Sequence, residues 1–305
     1  MKFAAIDIGT NTTRLAIVEN NPFKVLSKYR AVTRLGEGFS KELIPKAQKR
    51  VIDVLKNYAD IIKTSNVSHT AGVATSVVRE ASNGKEFVEK IFKETGIEIE
   101  IIDGEKEAFL TLKGVMSVLD SNIENFMLLD IGGGSNEFSL IKKGKLVDSI
   151  SLKFGVVFLY EKFIGHNPPE SGEIEQMQEE IRSNVLKVKE KFKIEKISDF
   201  HFVGTAGTVT TLSAINLGLK NYLPEKINNN IINKNFLEFV LKDMLKLTNK
   251  QRGEKYFIEK GREDVIISGM FIIKEAMEIF GFREIVSIDA SLLEGVAINM
   301  IEKSI

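Results

Sequence analysis

Phe126-Met-Leu-Leu-Asp130-Ile-Gly-Gly-Gly-Ser-Asn-Glu137-Phe-Ser-Leu-Ile141 is a pair of apolar runs joined by three successive glycines, with a carboxylate at each end of the join. The flanking runs have strand composition, so the spacing predicts a tight glycine turn between two strands. Without Cβ atoms such a turn can bend until several N–H groups converge on one anion, as in a phosphate-cradling nest. Asp130 is then suited to hold a divalent cation on the phosphate, and Glu137 to orient water or metal. The other reading is a hairpin that merely turns, with Asp130 an ordinary turn residue and Glu137 on a cross-strand surface.

The start of the chain repeats the pattern. Phe3-Ala-Ala-Ile6 reads as a strand, Asp7-Ile-Gly-Thr-Asn-Thr12 as a polar turn and Leu15-Ala-Ile-Val18 as a second strand. A shift of 123 residues (126 − 3) lays Asp7, Ile8 and Gly9 on Asp130, Ile131 and Gly132. Internal duplication is the simplest explanation. A third strand follows in each copy, at 24–29 and at 146–150, so each half opens with a three-strand meander.

The first half continues with a helix over 41–63, whose Val51, Ile52, Leu55, Ala59 and Ile62 form one apolar stripe. A strand over 67–74, a helix over 87–94 closed near Gly96, a strand over 97–102 and a helix over 105–119 complete it. This β-β-β-α-β-α-β-α order places strand ends and their loops beside the Asp7 turn, where ligands enter α/β sheets. The second half is longer: a helix over 170–191, a strand over 200–203 and the turn Gly204-Thr-Ala-Gly-Thr208 opening a helix, a further anion-ready element. Helices over 236–247 and 265–280, a strand over 284–288 and a helix over 292–302 follow. Residues 216–235, rich in Asn around Pro224, read as an insertion or lid loop. Lys187, Lys189, Lys191, Lys193 and Lys196 form a solvated face or a guide for a polyanion.

Composition narrows the class. A chain of 305 residues with 43% apolar content buries roughly 75% of its unfolded surface, enough for two lobes. Forty-two basic residues balance forty-two acidic ones, so no global field draws the protein to a nucleic acid duplex or an anionic membrane. The absence of cysteine removes disulfides, zinc–thiolate sites and every cysteine-nucleophile phosphatase mechanism. The first seven residues break their apolar run too early for a signal peptide, and apolar stretches such as 265–273 are too short to span a bilayer. The expectation is a soluble, cytoplasmic protein. His69, His166 and His201 are scattered and form no binuclear-metal constellation.

The twin Asp-Ile-Gly turns and Gly204-Thr-Ala-Gly-Thr208 resemble the phosphate and adenosine loops of the actin, sugar-kinase and heat-shock ATPase superfamily. Six ordered motifs sharpen the likeness: Asp7-Ile-Gly-Thr-Asn-Thr12, Thr33-Arg-Leu-Gly-Glu-Gly38, Ala74-Thr-Ser-Val-Val-Arg-Glu-Ala81, Gly104-Glu-Lys-Glu-Ala108, Asp130-Ile-Gly-Gly-Gly-Ser-Asn-Glu137 and Val203-Gly-Thr-Ala-Gly-Thr208. Together they resemble the exopolyphosphatase/guanosine pentaphosphate phosphohydrolase (Ppx/GppA) family, and Ile288-Asp-Ala-Ser-Leu-Leu-Glu-Gly295 extends the likeness towards the end.

The resemblance implies an α/β fold of two duplicated ribonuclease-H-like (actin-like ATPase) lobes with an interlobe active-site cleft, the first over 1–121 plus 291–305 and the second over 122–290. It implies a Mg²⁺-dependent hydrolase of the stringent response, releasing terminal phosphate from inorganic polyphosphate, guanosine pentaphosphate or both, as a monomer or homodimer. Glu107 matches the family's catalytic Glu and would activate water for in-line attack; read without the resemblance, Glu105 and Glu107 complement a helix dipole. Asp7 and Asp130 become the metal carboxylates and Glu137 their support. Arg79 becomes a bidentate phosphate clamp rather than the surface partner of Glu80 or Glu86, with Arg14 and Arg34 weaker candidates. Thr10, Asn11, Thr12, Gly132, Gly133, Gly134, Ser135, Gly204, Thr205, Gly207 and Thr208 become phosphate-binding positions.

Two residues depart from the family pattern. Asn136 stands in place of Thr or Ser and keeps hydrogen-bonding capacity, whereas Leu293 replaces an Arg and removes a cation, with any phosphate contact made there. A sugar- or acetate-kinase type phosphotransferase and a non-catalytic alarmone-binding sensor are the alternative functions.

Overall fold

The structure, a computed structural model, describes residues 1–194 and 197–304. Of the lysine run, Lys196 lies outside the described residues. The chain divides into two compact units, Met1–Ser117 with Ala290–Ile305, and Val118–Asp289.

Unit 1 opens with β1 (Lys2–Ile8), β2 (Thr12–Glu19) and β3 (Lys24–Val32), followed by α1 (Pro45–Thr64), β4 (His69–Ala74), α2 (Ser76–Glu80), α3 (Gly84–Thr95), β5 (Ile99–Ile101) and α4 (Gly104–Met116). Unit 2 contains β6 (Phe126–Ile131), β7 (Asn136–Lys142), β8 (Lys145–Leu152), α5 (Val156–Phe163), α6 (Ser171–Phe192), β9 (His201–Thr205), α7 (Ala206–Asn216), α8 (Pro224–Ile227), β10 (Asn230–Asn233), α9 (Lys234–Met244), α10 (Asn249–Tyr256), α11 (Ile266–Phe280) and β11 (Glu284–Ser287). The chain then returns to unit 1 for α12 (Leu292–Ser304).

The sheet of unit 1 has the order β3-β2-β1-β4-β5, and that of unit 2 the order β10-β11-β9-β6-β7-β8. In both, an antiparallel meander is continued by parallel strands on the far side of its first strand. Each unit therefore has the ribonuclease-H-like strand order, and unit 2 adds β10 as an antiparallel edge. Strand periodicity decides which residues fill which layer. Ala4, Ile6 and Ile8 of β1 face the core built with α1 and α3, while Phe3 and Ala5 face a second core that Leu292, Leu293, Val296, Ala297 and Ile301 of α12 complete. Leu293 is thus a core residue of unit 1, and its apolar side chain fills space in that layer. In unit 2, α11 buries nearly all its residues and joins α6 and β6 in one large core.

Residues 216–235 are not an open lid loop. They hold α8 and β10, whose Asn230–Asn233 pairs antiparallel with β11. Three further helices escape sequence periodicity. α2 has five residues, too few to show a stripe. The Val-Val-Phe-Leu run of α5 is apolar on every side, and α10 is polar throughout, marked only by the Thr248/Gln251 capping box.

Candidate active site

In unit 1 the candidate residues gather at the C-terminal ends of the parallel strands. Asp7 lies near the end of β1, α2 with Arg79 follows β4, and α4 with Glu107 follows β5. Asp7 is buried; its Oδ2 accepts from Arg14 Nε at 2.8 Å and Nη2 at 2.5 Å, while Oδ1 is buried without a partner. An orphaned carboxylate oxygen of this kind suits a hard cation such as Mg²⁺. Among the described residues no group of three or more His, Cys, Asp or Glu side chains is placed to hold a metal, so a bound ion would fill its remaining positions with water and substrate oxygens.

The two carboxylates at the start of α4 differ. Asp103 caps the helix through Lys106 N–H at 2.8 Å, Glu105 is exposed, and Glu107 is only 6% exposed. Arg79 Nη1 donates to Glu107 Oε2 at 3.0 Å and to the Ile102 carbonyl at 2.9 Å. A helix-dipole role alone gives no reason to bury one of the two carboxylates and pair it with Arg79. Arg79 itself sits on α2 rather than in a loop, and its recorded ion pair is with Glu107.

The Asp7 turn is braced from behind. The Thr10 carbonyl accepts from Gly36 N–H at 2.9 Å, and the Asn11 carbonyl from Thr33 and Arg34 at 3.0 and 2.9 Å. In a trans peptide the N–H points opposite to the C=O. The N–H groups of Asn11 and Thr12 therefore face away from that brace. A Cβ on Gly36 would overlap the Thr10 methyl, which gives the Thr33–Gly38 motif a structural reason.

Unit 2 repeats the device with other parts. The carbonyls of Gly132, Gly133 and Gly134 accept from Val156, Val157 and Gly155 N–H at 3.0, 2.9 and 3.0 Å, so the start of α5 braces the glycine turn. By the same peptide geometry the N–H groups of Gly133, Gly134 and Ser135 point away from α5, the arrangement of an anion nest. A Cβ on Gly155 would overlap Gly133 and Gly134 backbone, and one on Gly132 would lie 2.5 Å from the Ser135 carbonyl oxygen. Asn136, fully buried, donates to the Phe154 carbonyl at 2.9 Å and so holds the approach to α5.

The duplication keeps its register but changes a charge. Asp7 pairs with Arg14 across β1 and β2, and Asp130 with Glu137 across β6 and β7. Directly opposed side chains share a face, so the position beside Asp7 that holds a guanidinium holds a carboxylate beside Asp130. Glu137 is buried, not a surface residue. Its Oε1 accepts from Ser135 Oγ at 2.6 Å and Ser151 Oγ at 2.7 Å.

The Gly204–Thr208 segment divides in two. Gly204 and Thr205 end β9, with Thr205 beside Asp130 in parallel register. A Cβ on Gly204 would crowd Ile285 and Val209 side chains. Ala206 opens α7 with φ 70°, a left-handed conformation costing a non-glycine residue roughly 1 kcal/mol. Thr208 packs against Gly269 of α11, so its side chain belongs to the helix contact. Gly207 lies against a residue the sequence reading passed over: a Cβ there would come 2.5 Å from Nη1 of Arg262 and 2.6 Å from its Cζ. The guanidinium of Arg262 thus lies at the start of α7, with Nε 3.3 Å from Glu259 Oε2. No motif frames Arg262, which falls in the irregular stretch between α10 and α11.

Other positions have local roles. Lys187, Lys189 and Lys191 reach Asn184 Oδ1, the Ile279 carbonyl and the Ser149 carbonyl at 3.0, 3.0 and 2.8 Å. His69 stacks on Phe3, and His166 Nδ1 meets Glu173 at 2.8 Å. The Glu173 and Glu170 carboxylates hold His166 protonated above the usual imidazole range. No helix is long and apolar enough to cross a membrane among the described residues.

The model of the Ppx/GppA phosphatase family matches residues 14–304. The bifunctional 3-dehydroquinate synthase/phosphatase of Fusobacterium nucleatum is 34% identical over 317 residues, covering 96% of this chain and 46% of that protein, so this chain spans about half the relative's length. Exopolyphosphatase 2 of Mycobacterium tuberculosis is 27% identical over 316 residues, covering 98% of both. Among solved structures, the Ppx/GppA family member of Aquifex aeolicus has a TM-score of 0.84 at 28% identity, covering 100% of this chain and 98% of that one. An exopolyphosphatase of Cytophaga hutchinsonii has a TM-score of 0.91 at 25% identity, covering 99% and 98%. Twin braced turns, a buried glutamate at the start of α4 and a family match over almost the whole length converge: the chain belongs to the Ppx/GppA phosphatase family, a family of hydrolases.

Proposed function

We propose that this protein is a Mg²⁺-dependent cytoplasmic phosphohydrolase, monomeric or homodimeric, that releases terminal phosphate from inorganic polyphosphate, guanosine pentaphosphate or both. The observation that carries the reading is the buried Glu107, paired with Arg79 while its neighbour Glu105 stays in solvent. In this reading Glu107 takes the proton of the attacking water, and Arg79 holds the carboxylate in position. The N–H groups of Asn11, Thr12, Gly133, Gly134 and Ser135 receive phosphate oxygens, and the start of α7 at Gly207, with Arg262 beside it, is a further anion position. Asp7 and Asp130 are the carboxylates toward magnesium, with Glu137 held near Asp130 by Ser135 and Ser151. The ion, when bound, would neutralise charge on the phosphate oxygens.

The test offers purified protein long-chain polyphosphate and guanosine pentaphosphate side by side, with no acceptor present, and measures phosphate release. Glu107→Gln keeps the shape but cannot take the proton, so kcat should fall by roughly 10²–10⁴ with binding nearly unchanged. Glu105→Gln should do far less. Release only on addition of an acceptor would mark a phosphotransferase, and binding without release a sensor. A Glu107→Gln protein that works near the original rate would remove the mechanism.

A further inference from the structure

In unit 1 the ladder between β2 and β3 changes at the end beside the Asp7 turn. Thr12 stands opposite Val32, and one step further Thr33 N–H donates to the Asn11 carbonyl at 3.0 Å. In a regular antiparallel ladder such a pair exchanges two bonds, so Asn11 N–H would return to the Thr33 carbonyl. That return bond is not formed among the described residues. The Thr10–Asn11 peptide is turned over instead: its carbonyl accepts from Gly36 N–H at 2.9 Å, and its N–H therefore points the other way. Arg34 N–H joins Thr33 on the Asn11 carbonyl at 2.9 Å, the two-against-one count of a β-bulge.

The Thr33 carbonyl, deserted by the ladder, is met from α1. Arg50 Nε donates to it at 2.7 Å, and Nη2 donates to the Arg34 carbonyl at 2.8 Å and to Glu37 Oε2 at 2.6 Å. Thr33 is only 1% exposed, and its hydroxyl lies 3.0 Å from that of Thr13, whose carbonyl accepts from Tyr58 at 3.1 Å. The hydroxyl and N–H of Thr33 thus anchor it independently of Arg50, and the group that depends on Arg50 is the carbonyl. A buried acceptor left unmet is destabilising. The donor that a regular ladder supplies for it is Asn11 N–H, with the peptide turned back.

We propose that Arg50 is a positioning residue of the Asp7 turn: by filling the Thr33 carbonyl it keeps the Thr10–Asn11 peptide turned over and Asn11 N–H presented to a phosphate oxygen. The proposal rests on the reading of that turn as phosphate-binding. Arg50 acts through the backbone of 33–34 and not on the phosphate.

Isotope-labelled full-length protein is titrated with inorganic phosphate while the Asn11 and Thr12 amide signals are followed by NMR, and exchange of the Asn11 amide with water is measured without phosphate. Arg50→Met should weaken phosphate binding roughly fivefold, about the worth of one hydrogen bond. It should also slow Asn11 exchange several-fold, as that N–H pairs with Thr33. The second change separates positioning from damage, because a merely loosened turn exchanges faster. Should Arg50→Met fail to fold, Arg50→Ala, at a helix position that favours alanine, must give the same two changes. Lys49→Met removes the same charge one residue away and should alter neither. Unchanged phosphate affinity in Arg50→Met, or Asn11 exchange that is unchanged or faster, overturns the proposal. So does equal weakening in Lys49→Met, or a wild-type Asn11 amide that phosphate does not shift. Both expected changes in a protein that hydrolyses neither substrate would leave this proposal standing and sink the hydrolase reading. Neither change in an active hydrolase would do the reverse.

Discussion

Arg79 and Glu107 are bound to each other, which changes what each can do. Arg79 Nη1 serves Glu107 and the Ile102 carbonyl, so a phosphate clamp would draw on the Nε and Nη2 donors of the same guanidinium. The sequence made Glu107 visible through its motif and made Arg79 look like an independent anion binder, because spacing along a chain does not show which side chains meet after folding. Removing one partner leaves the other charge poorly compensated, so Arg79→Met should destabilise the protein by about 1–3 kcal/mol in urea unfolding and also reduce phosphate release. Adding Glu107→Gln to Arg79→Met should recover most of the stability and none of the activity. A double variant as unstable as Arg79→Met alone would mean that Arg79 acts through packing of its stem and not through the pair.

At the scale of elements, each phosphate turn depends on a second segment that the sequence reading assigned no such role. Gly36 and its neighbours brace the Asp7 turn, and the start of α5 braces the glycine turn. The turns themselves were legible because glycines interrupting two apolar runs break the strand pattern and permit the backbone angles a tight turn needs. Their braces were not, since an apolar run such as Val156-Val-Phe-Leu fits strand and buried helix equally and a long-range amide-to-carbonyl contact leaves no periodic trace. The cost of disturbing the brace can be measured. Gly155 has φ −63° and ψ 168°, values open to any residue, so Gly155→Ala is opposed only by the Gly133 and Gly134 backbone that its Cβ would strike. The glycine turn must then shift, and displaced catalytic donors can cost roughly 10²-fold in rate. Phosphate release should fall to that extent while circular dichroism stays native. A fully active Gly155→Ala enzyme would show that the turn's position is not held by α5.

Across the whole molecule the duplication was legible to the residue: the shift of 123 that aligns Asp7 with Asp130 also aligns Arg14 with Glu137 (14 + 123 = 137), and both pairs are in cross-strand register. Strand period and equal hairpin length carry that information in one dimension. The path of the chain is harder to read, because unit 1 is closed by a helix encoded at the far end, after all of unit 2. α12 packs on α4 at two glycines. A Cβ on Gly295 would fall on the Leu110 carbonyl, and one on Gly114 on the Ser291 carbonyl. Gly295→Ala must therefore push α12 from α4 and loosen the core where Leu292, Val296 and Ile301 meet Phe3, Ala5 and Val18, at about 1–3 kcal/mol for an overpacked interior. The loss should be local to unit 1, since none of those partners lies in 118–289. Hydrogen exchange of Gly295→Ala should show β1, β2 and α4 amides losing protection while β6, β9 and α11 keep theirs. Equal loss of protection in α11 would overturn the assignment of the last helix to the stability of unit 1 alone.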